Sequence, residues 1–303
     1  MRLVAVVGPT ASGKTALAIE LAQRLDAEIV SADSQQCYRG LDAATAKPTK
    51  AEQAQARHHL LDWADPEDQL DAAQFIERAE QGMREIAARG KRVIVAGGTG
   101  LWIRALLHGL VDAPGASAAF RAALREEFEK LGVPALHARL AESDPASAAK
   151  ILPNDKVRIE RALEVHALSG RPLSELQREH GFREPLHEAL FINLDPPREL
   201  LAERIARRTR QLFESGALQE ETSRLQERIA RIPAAAKALK IIGYGECASL
   251  PPAEAEERIN ARTRQYARRQ RTWFRKDAGS PESWPIDAAR LCERVALWYE
   301  APR

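Results

Sequence analysis

The chain has 303 residues, is 45% hydrophobic and carries a formal net charge of only +2, which is enough apolar material for one large domain or two smaller ones. Its three cysteines, Cys37, Cys247 and Cys292, form no C-x-x-C pair, which excludes a disulfide scaffold and a cysteine-type zinc site and fits a reducing compartment. No apolar run approaches the ~18 residues of a membrane span, and the short apolar N-terminus runs into a glycine loop rather than a cleavage site, so a soluble cytoplasmic protein without membrane contact is expected.

Leu3–Val7 predicts a strand, and it feeds Gly8-Pro9-Thr10-Ala11-Ser12-Gly13-Lys14-Thr15. This G-x-x-x-x-G-K-T pattern wraps backbone N–H groups around a chain of phosphates, with Lys14 on the outer phosphates and the Thr15 hydroxyl on Mg²⁺. The helix predicted over Ala16–Leu25 aims its N-terminal dipole at the same anion. Glu28–Ser31, His59–Leu61 and Arg92–Ala96 read as further strands and Ala72–Arg89 as a helix stopped by Gly90. The alternation predicts an α/β fold, a P-loop parallel sheet flanked by helices. Leu190–Leu194 reads as another strand, closed by Asp195-Pro196-Pro197.

Between Pro114 and Pro185 the pattern is helical only, over Phe120–Leu131, Pro134–Leu140, Pro145–Ile151 and Asp155–Ser169. It predicts an all-helical insertion domain, residues 115–185, in a core of residues 1–114 plus 186–303. Pro114-Gly115 and Arg183–Pro185 are the candidate hinges. After Pro197 the chain is helical and rich in arginine.

Asp33 follows a predicted strand at the carboxyl edge of the sheet, beside the phosphates. Three roles stand open for it: indirect Mg²⁺ binding, general base, or N-cap of a following helix. Gly97-Gly98-Thr99-Gly100 ends another strand at that edge, so Thr99 is a candidate to offer its hydroxyl to an anion. Asn260–Lys276 holds seven basic residues and no acid. As a helix it lines up Arg264, Arg268, Arg271 and Arg275 on one face and Tyr266, Gln270 and Trp273 on another. Like charges so spaced repel, and an RNA backbone with bases stacked on the aromatics offsets them. A solvated basic helix is the alternative. The pair His58-His59 points to opposite faces of a strand and reads as no metal site.

Together these segments closely resemble the bacterial tRNA dimethylallyltransferase (IPP transferase) family. The likeness rests on residues 8–15, Asp33–Tyr38, Thr45–Pro48, His58–Asp62, Gly97–Leu101, Arg158–Glu164, Ile242–Tyr244 and Thr263–Arg275. It implies transfer of a dimethylallyl group from dimethylallyl diphosphate to the exocyclic amine of the adenosine immediately 3′ of the anticodon. Carried over residue by residue, it implies that Gly8 to Thr15 and Arg208 hold the diphosphate, with Mg²⁺ on Thr15. It makes Asp33 and Thr99 catalytic, and has Ser34, Gln35 and Gln36 join them on the target nucleotide. The tRNA anticodon stem-loop is then gripped by Arg121, by Val157, Arg158, Ile159, Glu160 and Arg161, and by Lys240, Ile241, Ile242, Gly243, Tyr244 and Gly245. The last stretch to grip it runs through Arg268, Arg269, Gln270, Arg271, Thr272, Trp273, Phe274 and Arg275. A monomer is expected. Three positions depart from the family pattern: Trp102 replaces Tyr, Val157 replaces Gln, and Asp42-Ala43-Ala44 replaces Asp-Ile-Gly. The competing readings are an adenylate isopentenyltransferase acting on free nucleotide, a P-loop small-molecule kinase, and an RNA-binding protein with a vestigial loop.

Overall fold

The structure, a computed structural model, describes residues 1–302 apart from Arg183 and Ser283. β1 (Arg2–Val7) is apolar along its buried length because both of its faces are covered. Leu3, Ala5 and Val7 enter a core with Phe75, Met83 and Leu106. Val4 and Val6 enter another with Leu17, Leu21, Ile94 and Val295. The other strands are β2 (Ala27–Ser31), β3 (His58–His59), β4 (Arg92–Gly97) and β5 (Glu188–Asn193). All pair in parallel in the order β3-β2-β4-β1-β5. The register sets Val7 beside Gly97 and Asn193, and Ser31 beside Ala96. The loops that follow these four strands therefore leave from one edge of the sheet, where ligands of such sheets bind.

The third strand is shorter than the predicted His59–Leu61 because Leu60 and Asp62 take φ of 63° and 55°, outside extended geometry. The helices of the first half are α1 (Lys14–Leu25), α2 (Lys50–Gln55), α3 (Ala72–Ala88) and α4 (Gly100–His108). α2 was not foreseen: it is a short helix started by a capping box between Thr49 and Glu52. Trp102 on α4 is core, stacked on Phe75 with ring centroids 4.5 Å apart, so its departure from Tyr is a matter of packing.

The chain divides into two compact units, Met1–Leu107 with Leu186–Arg303, and His108–Pro185. The second unit starts at His108 rather than at residue 115. It consists of α5 (Ala118–Leu131), α6 (Val133–Ser143), α7 (Pro145–Ala148), α8 (Lys156–Ser169) and α9 (Leu173–His180), with no strand among the described residues. Leu124, Phe128, Leu136, Leu140, Ile159 and Leu163 form its core. Buried Asp144 accepts from the Ser147 and Ser174 amides, both at 2.9 Å, and so fixes two helix starts at once. Of the predicted Arg183–Pro185 hinge, Arg183 lies outside the described residues. The first unit ends with α10 (Arg198–Glu214), α11 (Ala217–Arg231), a 3-10 segment (Pro233–Lys240), α12 (Tyr244–Ser249), α13 (Pro252–Asp277) and α14 (Ala288–Glu300).

Candidate active site

The loops after β1, β2 and β4, together with α10 and α13, line an open cavity of about 1170 Å³. The first loop needs glycine at its start: residue 8 has φ of +141°, and a Cβ there would lie 2.3 Å from the Leu194 carbonyl oxygen. α1 begins directly at Lys14, so the loop abuts a helix N-terminus. Lys14 Nζ donates to the Pro9 carbonyl at 2.8 Å and closes the loop on itself. Burial pushes the Lys14 pKa down to about 8, against the pull of Asp33 and with a further push from Arg208. From α10, Arg204 Nη1 donates to the Ala11 and Ser12 carbonyls at 3.4 and 3.3 Å.

Asp33 stands two residues past β2. No helix follows it, so it is not an N-cap. Its Oδ1 accepts from the Gln35 amide at 2.9 Å and starts a turn instead. That turn is pinned to the β4 loop, because the Ser34 amide donates to Thr99 Oγ1 at 2.9 Å and Thr99 donates to Ser34 Oγ at 3.2 Å. Burial raises the Asp33 pKa, outweighing the Gln35 and Gln36 amides and the charges of Lys14 and Arg208. Arg208 Nη2 donates to the Ala43 and Ala44 carbonyls at 3.2 and 2.7 Å, and burial lowers its pKa. The same loop is held from behind by Glu221, which accepts from the Asp42 amide at 3.0 Å and from Tyr244 Oη at 2.6 Å.

A half-buried carboxylate with raised proton affinity thus shares one cavity with two cations and a phosphate-type loop. Such a constellation stabilises a departing polyphosphate on one side and accepts a proton on the other. Tyr266, expected from sequence on the aromatic face of its helix, lines the cavity, and so do Arg204 and Arg262, which were not named as site residues from sequence. For Arg204 the signal was present, since it shares one helix face with Arg208 at i, i+4.

The chain matches the family model described as "IPP transferase" over residues 36–277. This chain belongs to the IPP transferase family. It is 54% identical to the tRNA dimethylallyltransferase of Anaeromyxobacter sp. (strain K), across 97% of both chains. The crystal structure of the full-length tRNA isopentenylpyrophosphate transferase from Bacillus halodurans matches with a TM-score of 0.70 at 34% identity, over 99% of this chain and 97% of that one. A eukaryotic dimethylallyltransferase acting on tRNA matches with a TM-score of 0.83 at 26% identity, over 99% of this chain and 80% of that one.

The family relation makes the placement of the expected RNA-contacting residues instructive, because several are engaged within the protein. Arg121 donates twice to Glu164 at 2.8 Å, and Arg161 joins the same carboxylate at 2.9 Å. Burial opposes ionisation of Glu164, but these bonds and the Ser117 amide outweigh it and hold its pKa at about 2. Ile159 is core, and Glu160 is half-buried beside Arg121. In that stretch only Val157, 77% exposed, and Arg158 face outward.

Tyr244 is fully buried, whereas Lys240 is exposed and lines the cavity with Ile241, Ile242 and Gly243. On α13, Arg268, Arg269, Thr272 and Arg275 are exposed, while Gln270 and Phe274 are buried. Arg271 is largely buried and paired with Asp195, which Arg275 also meets at 3.2 Å. The anion that the helix requires is therefore supplied partly by the protein itself. The Ala44 methyl packs against Gly243, where a Cβ would come within 2.7 Å of it, so the Asp42-Ala43-Ala44 departure is a packing change.

Proposed function

We propose that this chain transfers a dimethylallyl group from dimethylallyl diphosphate to the exocyclic N6 amine of the adenosine immediately 3′ of the anticodon in tRNA, releasing diphosphate. It does so in the cytoplasm, as a monomer. The observation that carries this reading is the Asp33 carboxylate held in one cavity with Lys14 and Arg208 in a member of this family.

The adenine amine is a poor nucleophile because its lone pair is delocalised into the ring. The allylic carbon becomes a good electrophile as its C–O bond to diphosphate breaks and the C–N bond forms. Lys14, Arg208 and the loop amides meet the negative charge that grows on the leaving oxygens, and one such donor is worth ~10²–10³ in rate. Asp33 takes the proton that the alkylated amine must lose, worth ~10²–10⁴. Its raised affinity for a proton suits that task. Ser34, Gln35 and Gln36 flank Asp33 along the cavity and contact the target nucleotide. That nucleotide enters flipped out of its stack, at a cost of a few kcal/mol.

Among the described residues no three His, Cys, Asp or Glu side chains cluster as a metal cage. The Thr15 hydroxyl, which lines the cavity beside the phosphate-type loop, fits Mg²⁺, which keeps water and phosphate oxygens and takes only one or two protein groups. When bound it supplies charge neutralisation on the diphosphate.

A kinase reading calls for a carboxylate on Mg²⁺ at the end of a second strand, whereas β4 ends in Gly97. The test is incubation with labelled dimethylallyl diphosphate and either tRNA or AMP. Label in tRNA is expected. Label in AMP alone assigns the chain to the adenylate-modifying class, and nucleotide consumption without RNA assigns it to the kinases.

A further inference from the structure

The side chain of Gln270 does something other than face RNA. It is 5% exposed and points inward from α13. Its Oε1 accepts from the Thr10 amide at 2.8 Å, and its Nε2 donates to the Gly98 carbonyl at 2.9 Å. One carboxamide therefore ties the phosphate-type loop after β1 to the glycine turn after β4. The turn is shaped around it: a Cβ at residue 98 would lie 2.2 Å from Gln270 Nε2. The two loops so joined carry Lys14 and Thr99. The neighbouring Arg268 and Thr272 are exposed and lie outside the cavity lining, so one stretch of α13 presents a cation outside and a strap inside.

We propose that Gln270 is a positioning residue for diphosphate transfer: its amide sets the spacing between the two loops, acting on diphosphate binding and chemistry and not on RNA affinity. The inference rests on the prenyl-transfer reading above. A neutral carboxamide of this length offers at once the acceptor and the donor that these two backbone groups need. Loss of the strap lets the loops drift, and displacement of reacting groups by about 1 Å costs on the order of 10²-fold.

The test uses the full chain with Gln270→Met, which keeps the volume and removes both bonds, and Gln270→Glu, which keeps the acceptor and loses the donor when ionised. Steady-state kinetics with dimethylallyl diphosphate and tRNA should show kcat/KM for the diphosphate reduced on the order of 10²-fold in Gln270→Met. Its tRNA affinity and the salt dependence of that affinity should match wild type. For Gln270→Glu, kcat/KM relative to wild type should rise as pH falls, because protonation restores an O–H donor toward Gly98. That pH profile carries the test if the Met variant does not fold.

Wild-type kinetics in Gln270→Met, a flat pH ratio in Gln270→Glu, or weakened tRNA binding with diphosphate kinetics intact overturns the assignment. If wild-type protein does not label tRNA, the prenyl-transfer reading fails by itself. Calorimetric binding of inorganic diphosphate with Mg²⁺ then still decides the strap, which requires weaker binding in Gln270→Met.

Discussion

The Ser34 amide donates to Thr99 Oγ1 at 2.9 Å, a bond between residues on separate loops that fixes the turn carrying Asp33 against the turn after β4. Through it the turn of the proposed proton acceptor is tied to the loop that carries Thr99. Thr99→Val removes the acceptor while keeping the shape, and should lower kcat on the order of 10²-fold. Thr99→Ser should retain most activity, as measured in single-turnover labelling of tRNA.

Asp33→Asn should lower kcat by roughly 10²–10⁴ and leave tRNA affinity unchanged, since the proton moves only as the C–N bond forms. Near-normal kcat in this variant would reduce Asp33 to the hydrogen bond it makes with the Gln35 amide. Rapid-quench kinetics at saturating tRNA separates the two.

Arg208 donates to the Ala43 and Ala44 carbonyls and lines the cavity proposed for the diphosphate. Arg208→Ala should reduce kcat/KM for dimethylallyl diphosphate by ~10²–10³. Arg208→Lys should recover only part of the loss, because the guanidinium fork is replaced by a point charge.

The basic helix divides into two kinds of arginine. Neutralising Arg264 and Arg268, both exposed, should weaken tRNA binding at every sequence and reduce its salt slope by ~1 per residue. Arg271→Gln should act on stability instead. It leaves Asp195, whose side chain is 5% exposed, short of its closest cation, and costs about 3 kcal/mol in denaturant unfolding. A double Arg264, Arg268 variant with unaltered tRNA affinity and salt slope would restore the solvated-helix alternative.

Glu28 on β2 is held at a pKa of about 2, below its ordinary 4.5, first by hydrogen bonds from Arg89, then by His59, against the cost of burial. Its folded pKa lies below its unfolded one, so its contribution is fully present above pH 4.5 and is lost as pH falls toward 2. The full effect is about 3 kcal/mol. Unfolding midpoints of Glu28→Gln should depend less on pH than wild type across that window.

The strands, the phosphate-type loop and the helical insertion were legible in the sequence because each rests on a short-range rule: apolar runs, glycine spacing, helical periodicity. β3 was misplaced because two left-handed residues, Leu60 and Asp62, carry no glycine signal. The RNA-facing stretches were harder to read. Helical spacing says which residues share a face, but not which face meets a carboxylate brought from far along the chain. Glu164 beneath Arg121, Asp195 beneath Arg271 and Glu221 beneath Tyr244 are such partners. Gln270 was read as part of an aromatic RNA face, and its two backbone partners, Thr10 and Gly98, lie in the loops after β1 and β4, far from it in sequence.

The most direct measurement is nucleoside mass spectrometry of unmodified tRNA after incubation with the purified chain, dimethylallyl diphosphate and Mg²⁺. The account predicts an adenosine heavier by one dimethylallyl group at N6, confined to the position immediately 3′ of the anticodon and absent with Asp33→Asn. tRNA left unmodified, or prenylation spread over other adenosines, would contradict it.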